Sequence, residues 1–250
     1  MFPYKDDNPT FLTPFVVVAL IAANVAVWIV FQGMGSEQRL AETVCTMGLI
    51  PGDLMHRLPI GHTFPVGNGI NCEIDGGNAW YTLFTSMFLH GGWLHILGNM
   101  WFLWLFGNNV EDAMGHWRFV VFYLVCGLVA AGAQILSGPS SDAPMVGASG
   151  AISGVMGAYV VLYPRVRVHC IVWLIIFLFR ITVEAWVMLG YWFLLQVVGA
   201  GVDPVGGVAV WAHIGGFSAG ALLVFLFRNP TLLAKRDQLI AARAWQGYAA

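Results

Sequence analysis

Gly147-Ala-Ser-Gly-Ala-Ile-Ser-Gly-Val-Met-Gly157 is the stretch on which the reading of this chain turns. Gly150, Gly154 and Gly157, with Ala151 and Ala158 beside them, give a helix one face without bulk. In lipid such a face lets two helices pack almost backbone to backbone. Ser149 stands at its head, a hydroxyl where hydrocarbon is expected. A buried hydroxyl without a partner costs about 2–7 kcal/mol, so something must bond to it.

The surrounding sequence makes lipid the solvent. Hydrophobic residues form 58% of the 250 and charged residues only 10%; mean hydropathy is +0.74. Soluble domains carry about a quarter of charged residues, so an integral membrane protein is predicted. With a net charge of −2 and few, scattered cations, the chain offers no basic surface for nucleic acid. Residues 1–10 are acidic and proline-bearing, unlike the basic start of a signal peptide, and the first apolar stretch reads as a retained span.

Runs near the roughly 20 residues needed to cross a bilayer fall at about 14–31, 93–107, 117–136, 149–163, 182–198 and 207–227, within a single domain over 1–250. The predicted fold class is all-α, a polytopic bundle of six transmembrane helices. Residues 32–78 form a connection too long for an ordinary loop, expected to be partly helical and to lie at the membrane interface. Arg180 and Glu184 restrict the fifth span to 182–198, leave 166–179 at the interface, and are spaced for an i, i+4 pair there. Residues 228–250 form a polar tail. With residues 1–13 inside, the inner segments hold Lys5, Arg118, Arg165, Arg167, Arg228, Lys235, Arg236 and Arg243; the outer ones hold only Arg39 and Arg57. That asymmetry puts both ends of the chain in the cytoplasm. Cys45 and Cys72 share the outer connection, and a disulfide between them is one of several pairings four cysteines allow.

Polar residues inside spans carry the chemistry, because each is costly there. Ser149 lies 16 residues before Arg165, His213 15 before Arg228, and His95 and Asn99 16 and 12 before Glu111. At about 1.5 Å per residue all four stand roughly 18–24 Å above the inner boundary. In a hydrocarbon layer about 30 Å thick they share one level, some 5–10 Å below the outer surface. Imidazole is the side chain suited to activate a serine hydroxyl near neutral pH, and His213 is the candidate base. Ala212, Gly216 and Gly220 give its helix a second small face, which packed on Gly150, Gly154 and Gly157 would bring His213 to Ser149. Carbonyl attack also creates an oxyanion that needs fixed donors. His95 and Asn99, four apart on one helix face, and the free N–H groups at the start of the Ser149 helix can supply them, His95 only in the tautomer that turns N–H toward the site. No third acid is evident, so a Ser–His dyad is expected, with no metal or cofactor.

Taken together, Gly147-Ala-Ser-Gly150, Ala212-His-Ile-Gly-Gly216, and His90-Gly-Gly-Trp-Leu-His95 with Asn99 resemble the rhomboid family of intramembrane serine proteases. The Gly107-Asn-Asn-Val-Glu-Asp-Ala-Met-Gly115 turn and Trp192-Phe-Leu-Leu-Gln196 fit it too. The resemblance implies Ser149 as nucleophile, His213 as general base and acid, an oxyanion site made of His95, Asn99 and the Ser149 N–H, and a fifth span that gates a substrate helix. Its partners would be the lipid bilayer and transmembrane protein substrates, and its setting a cell membrane, expected to be a bacterial inner membrane; oligomeric state is not given by the pattern. One position departs. Four residues after the nucleophile the family often carries Tyr or Phe packed on the catalytic imidazole, and here the residue is Ser153, so His213 must be held by something else.

Two other classes of function compete. A non-catalytic relative that escorts membrane clients would be expected to lack the serine or the histidine. A proton-coupled transporter built on Glu184 and the histidines would need paired mid-membrane charges and an inverted repeat, and neither is found. His56, His62, His116 and His169 read as solvated, His90 as a structural residue bonding a backbone carbonyl, and Glu111 as a tie for its own turn.

Overall fold

The computed structural model describes residues 1–67, 69–77, 79–174, 177–202 and 209–248. The elements run β1 (Phe2–Asp6), α1 (Phe15–Val30), α2 (Glu37–Met47), α3 (Pro51–Leu54), β2 (Thr63–Gly67), β3 (Ile70–Glu73), α4 (Thr82–Thr85), α5 (Trp93–Met114), α6 (His116–Ser137), α7 (Ser149–Leu162), β4 (Arg167–Leu174), β5 (Phe177–Glu184), α8 (Ala185–Val202), α9 (Val210–Phe227) and α10 (Pro230–Tyr248). By length and composition α6, α8 and α9 can cross a membrane, and α1 and α7 are shorter apolar helices. Gly207, where the sixth span is expected to begin, lies outside the described residues.

The molecule is mostly helical, and the all-α expectation needs correction. The region 166–184 is an antiparallel hairpin, β4 on β5, with β1 added to the β4 side. Val168, Ile171, Val172, Ile181, Thr182 and Val183 are β-branched and suit a pleated surface better than a helix. Residues 2–6 provide the third strand; Trp101 Nε1 on α5 donates to Pro3 O at 2.7 Å, and Phe2 stacks on the same indole. The span that follows therefore starts at Ala185, three residues later than expected. Arg180 and Glu184 lie on a strand rather than a helix, and the Glu184 carboxylate accepts instead from Trp186 Nε1 at 2.7 Å. The long connection after α1 holds a second hairpin, β2 with β3, and the Cys45–Cys72 disulfide joins α2 to β3.

Helix α7 is the axis of the bundle, with Gly150 through Tyr159 all buried. It packs on α9 through the two small faces. A methyl group built on Gly216 would fall inside the contact radius of Gly150 O, and one on Gly220 inside that of Gly154 O. Cys126, Phe122 and Tyr123 of α6 and Leu103 and Phe106 of α5 close the core around it.

Charged residues at the end of the bundle where α5 meets α6 act between elements. The Glu111 carboxylate is fully buried and accepts from Val16 N at 3.0 Å and Val17 N at 2.9 Å; Asp112 accepts from Phe11 N and Leu12 N. These bonds satisfy amides at and just before the start of α1 that no intrahelical carbonyl can reach. Glu111 thus ties down a neighbouring helix and, through His116 Nδ1 at 2.5 Å, the start of α6, rather than its own turn alone. His62 and His169 are also partnered, to Asp142 and Asp7. At the opposite end the Gln32 amide clamps the backbone of His90, donating to its carbonyl at 2.8 Å and accepting from its N–H at 2.9 Å. The His90 ring nitrogens make no hydrogen bond among the described residues; its main chain is what is held.

Candidate active site

Three helices bring the polar residues of the predicted layer together. Ser149 is the first residue of α7, preceded by Gly147 at φ +128°, a conformation a side chain rarely adopts. Gly147 N–H donates to Ser86 O at 2.9 Å, which fixes the chain just before the serine. The tight approach of α7 and α9 then sets Ser149 Oγ 2.8 Å from His213 Nε2. One turn into α7, the Ser153 hydroxyl donates to Ser149 O at 2.6 Å and is spent on the backbone.

His213 is held on its far side. Its Nδ1 lies 2.9 Å from Gln196 Oε1 on α8, and the Trp192 ring stands 5.7 Å away, centroid to centroid. These contacts come from α8, where the family pattern would have placed an aromatic ring on α7. Gln196 is a residue of the site that the reading of the sequence did not assign to it. A signal existed: it stands 12 residues beyond Glu184 on the ascending helix, roughly 18 Å up, at the height of Asn99.

His95 and Asn99 face the same space from α5. Gly91 N–H donates to His95 Nδ1 at 3.2 Å, so the ring carries its proton on Nε2. That nitrogen points at the Gly147 backbone: a methyl built on Gly147 would sit 2.8 Å from it and 3.5 Å from Ser149 Oγ. This is the tautomer an oxyanion donor needs. Asn99 is buried, and its Nδ2 has no partner among the described residues. An unsatisfied buried amide is costly unless a ligand oxygen occupies the position in use. A cavity of about 470 Å³, lined among others by Leu94, His95, Asn99, Ser149, Trp192 and His213, provides the room. No cluster of metal-ligating side chains occurs among the described residues.

A serine bonded to an imidazole, with N–H donors converging beside it in an apolar multi-helix protein, defines a candidate hydrolase site of the membrane-embedded kind. The Rhomboid domain family matches residues 77–230, more than half of the sequence. The chain belongs to the rhomboid family. It is 27% identical over 228 residues to RHOMBOID-like protein 4 of Arabidopsis thaliana, covering 85% of this chain and 52% of that one. To the putative rhomboid protease YdcA of Bacillus subtilis it is 29% identical over 160 residues, covering 64% and 68%. To Rhomboid-type serine protease 2 of Emericella nidulans it is 28% identical over 167 residues, covering 64% and 29%. The chain spans about half the length of RHOMBOID-like protein 4 and less than a third of RHOMBOID-like protein 5 and Rhomboid-like protein 11, also from Arabidopsis thaliana. Family and apolar helices together make it a multi-pass membrane protein.

Proposed function

We propose that the chain is an intramembrane serine endopeptidase that hydrolyses peptide bonds in or beside transmembrane segments of other proteins. The observation that carries this is the 2.8 Å approach of Ser149 Oγ to His213 Nε2, between two helices that pack backbone to backbone at Gly150 and Gly216 and at Gly154 and Gly220. In the proposed reaction Ser149 Oγ attacks the substrate carbonyl and its proton passes to His213 Nε2. The oxyanion accepts from His95 Nε2–H, Asn99 Nδ2 and the Ser149 N–H. His213 then gives the proton to the leaving amine, and water releases the acyl group by the same steps in reverse order. A substrate helix must unwind locally to present its carbonyl, so helix-breaking residues near the cut favour turnover.

The proposed arrangement is six spans, α1, α5, α6, α7, α8 and α9, with residues 1–13 and the segment after 228 on the cytoplasmic side, in a bacterial inner membrane. Two features support that orientation: the bias of Lys and Arg toward the inner segments, and the Cys45–Cys72 bond on the opposite side, which requires an oxidising compartment.

The test is cleavage of a transmembrane substrate by detergent-purified protein. Ser149→Ala and His213→Ala are each expected to lower turnover by about 10⁴-fold or more, and a fluorophosphonate probe is expected to label Ser149. Robust cleavage by either variant removes the dyad; silence of the native protein toward both substrates and probe favours the escort function.

A further inference from the structure

We propose that Gln196 is the positioning residue for the base, taking the part that a carboxylate plays in soluble serine hydrolases. The proposal rests on Ser149 and His213 acting as described above, and deepens that reading.

The amide can face His213 in two ways, and only one is productive. With Oε1 toward Nδ1, the imidazole carries its proton on Nδ1 and offers the Nε2 lone pair to Ser149 Oγ–H. With the NH₂ toward Nδ1, the proton moves to Nε2 and the ring can no longer accept from the serine. The backbone chooses between them. Gln196 Nε2 lies 3.5 Å from Trp192 O, the carbonyl one turn earlier on α8, so the donor end of the amide is drawn to an acceptor and Oε1 is left at 2.9 Å from His213 Nδ1.

The need for such a group follows from the residue one turn after the nucleophile. Ser153 has no ring to lay on the imidazole and has turned its hydroxyl to Ser149 O. The Trp192 ring beside it is tilted at 44° and restrains it without bonding to it. Gln196 is therefore the one described side chain bonded to Nδ1.

The experiment measures phosphonylation of Ser149 by a small fluorophosphonate in the full-length protein, separating the maximal rate of labelling from the half-saturating probe concentration. Gln196→Leu should lower the maximal rate at least 10-fold with half-saturation unchanged and the unfolding midpoint preserved; Gln196→Glu, which keeps an acceptor at the same atom, should recover most of it. A Gln196→Leu protein that labels at the native rate overturns the proposal, as does a Gln196→Glu protein no faster than the Leu variant. If native protein does not label at Ser149, the dyad itself has failed and the fault lies with the parent reading. If Gln196→Leu unfolds, the comparison is made between Gln196→Glu and Gln196→Met: equal rates in those two reject the positioning role.

Discussion

At the scale of single residues, Gly147 makes the sharpest prediction. Its left-handed backbone carries the chain from Ser86 to Ser149 past the His95 ring, and there is no space for a methyl group. Gly147→Ala must push either the ring or the serine by a few tenths of an ångström or more, and misplacements approaching 1 Å cost about 10²-fold in rate. Turnover should fall on the order of 100-fold while the helical circular dichroism spectrum stays native. Ser149, His213, His95 and Asn99 were legible in the sequence because a polar group in a span needs a reason, and counting from the inner anchors gave all four one height. Partners of those residues were less legible. That His95 receives Gly91 N–H depends on how the chain bends before α5, and the bond from Gln196 to His213 depends on the rotation of α8, which spacing along one helix does not fix.

At the scale of elements, α7 and α9 approach as closely as backbones allow, and α8 does not. Gly220→Ala puts a methyl against Gly154 O and should destabilise the protein by about 1–3 kcal/mol, as overpacking does. Gly190→Ala on α8 is the control, since a methyl there meets nothing within 4 Å, and its effect should stay within about 0.5 kcal/mol. Denaturation midpoints of the two variants in one detergent decide it; equal values would mean the α7–α9 contact is looser than described. The small faces announced this pairing in advance. The hairpin β4–β5 gave no such notice. Its β-branched residues favour a pleat, but the apolar run at 166–179 does not name both of its partners, β5 on one side and β1, more than 160 residues away in sequence, on the other. Local pattern cannot contain a partner that distant. The polar run Asn108 to Asp112 reads in the sequence as the turn that ends the second span, yet α5 continues to Met114, where α1 and residues 11–12 bring donors to Glu111 and Asp112 and the Asn8 carbonyl accepts from Asn109.

At the scale of the whole molecule, the end of the bundle where β1 meets α7 is sensitive to pH. The Asp6 carboxyl on β1 accepts from Tyr159 OH at 2.5 Å, and burial pushes it up to about 6 from an ordinary value of 3.8. Because the folded state holds the proton more tightly than the unfolded chain, the stability this group contributes is complete below about 3.8 and is lost as pH rises through 6. Asp7 works in the opposite sense: its bond to His169 holds the carboxyl low, so its contribution is present above the ordinary carboxylate range and is lost as pH falls. Asp6→Asn keeps an acceptor for Tyr159 and removes the titration. The difference in unfolding midpoint between pH 4 and pH 8 should therefore change in the variant in the sense of greater relative stability at pH 8; an unchanged difference would show that Asp6 does not titrate in this window.

The pairing of Phe2 with Ile171 also has a consequence in time. Ribosomes deliver roughly 5–20 residues per second, so residues 2–6 wait on the order of 10–30 s for β4 to be made. Throughout that interval a short strand with open hydrogen-bonding edges stands unpaired while one helix after another is threaded into lipid. Biogenesis of this protein therefore has a late closing step, and until it occurs those residues are open to any chaperone or peptidase that binds extended chain.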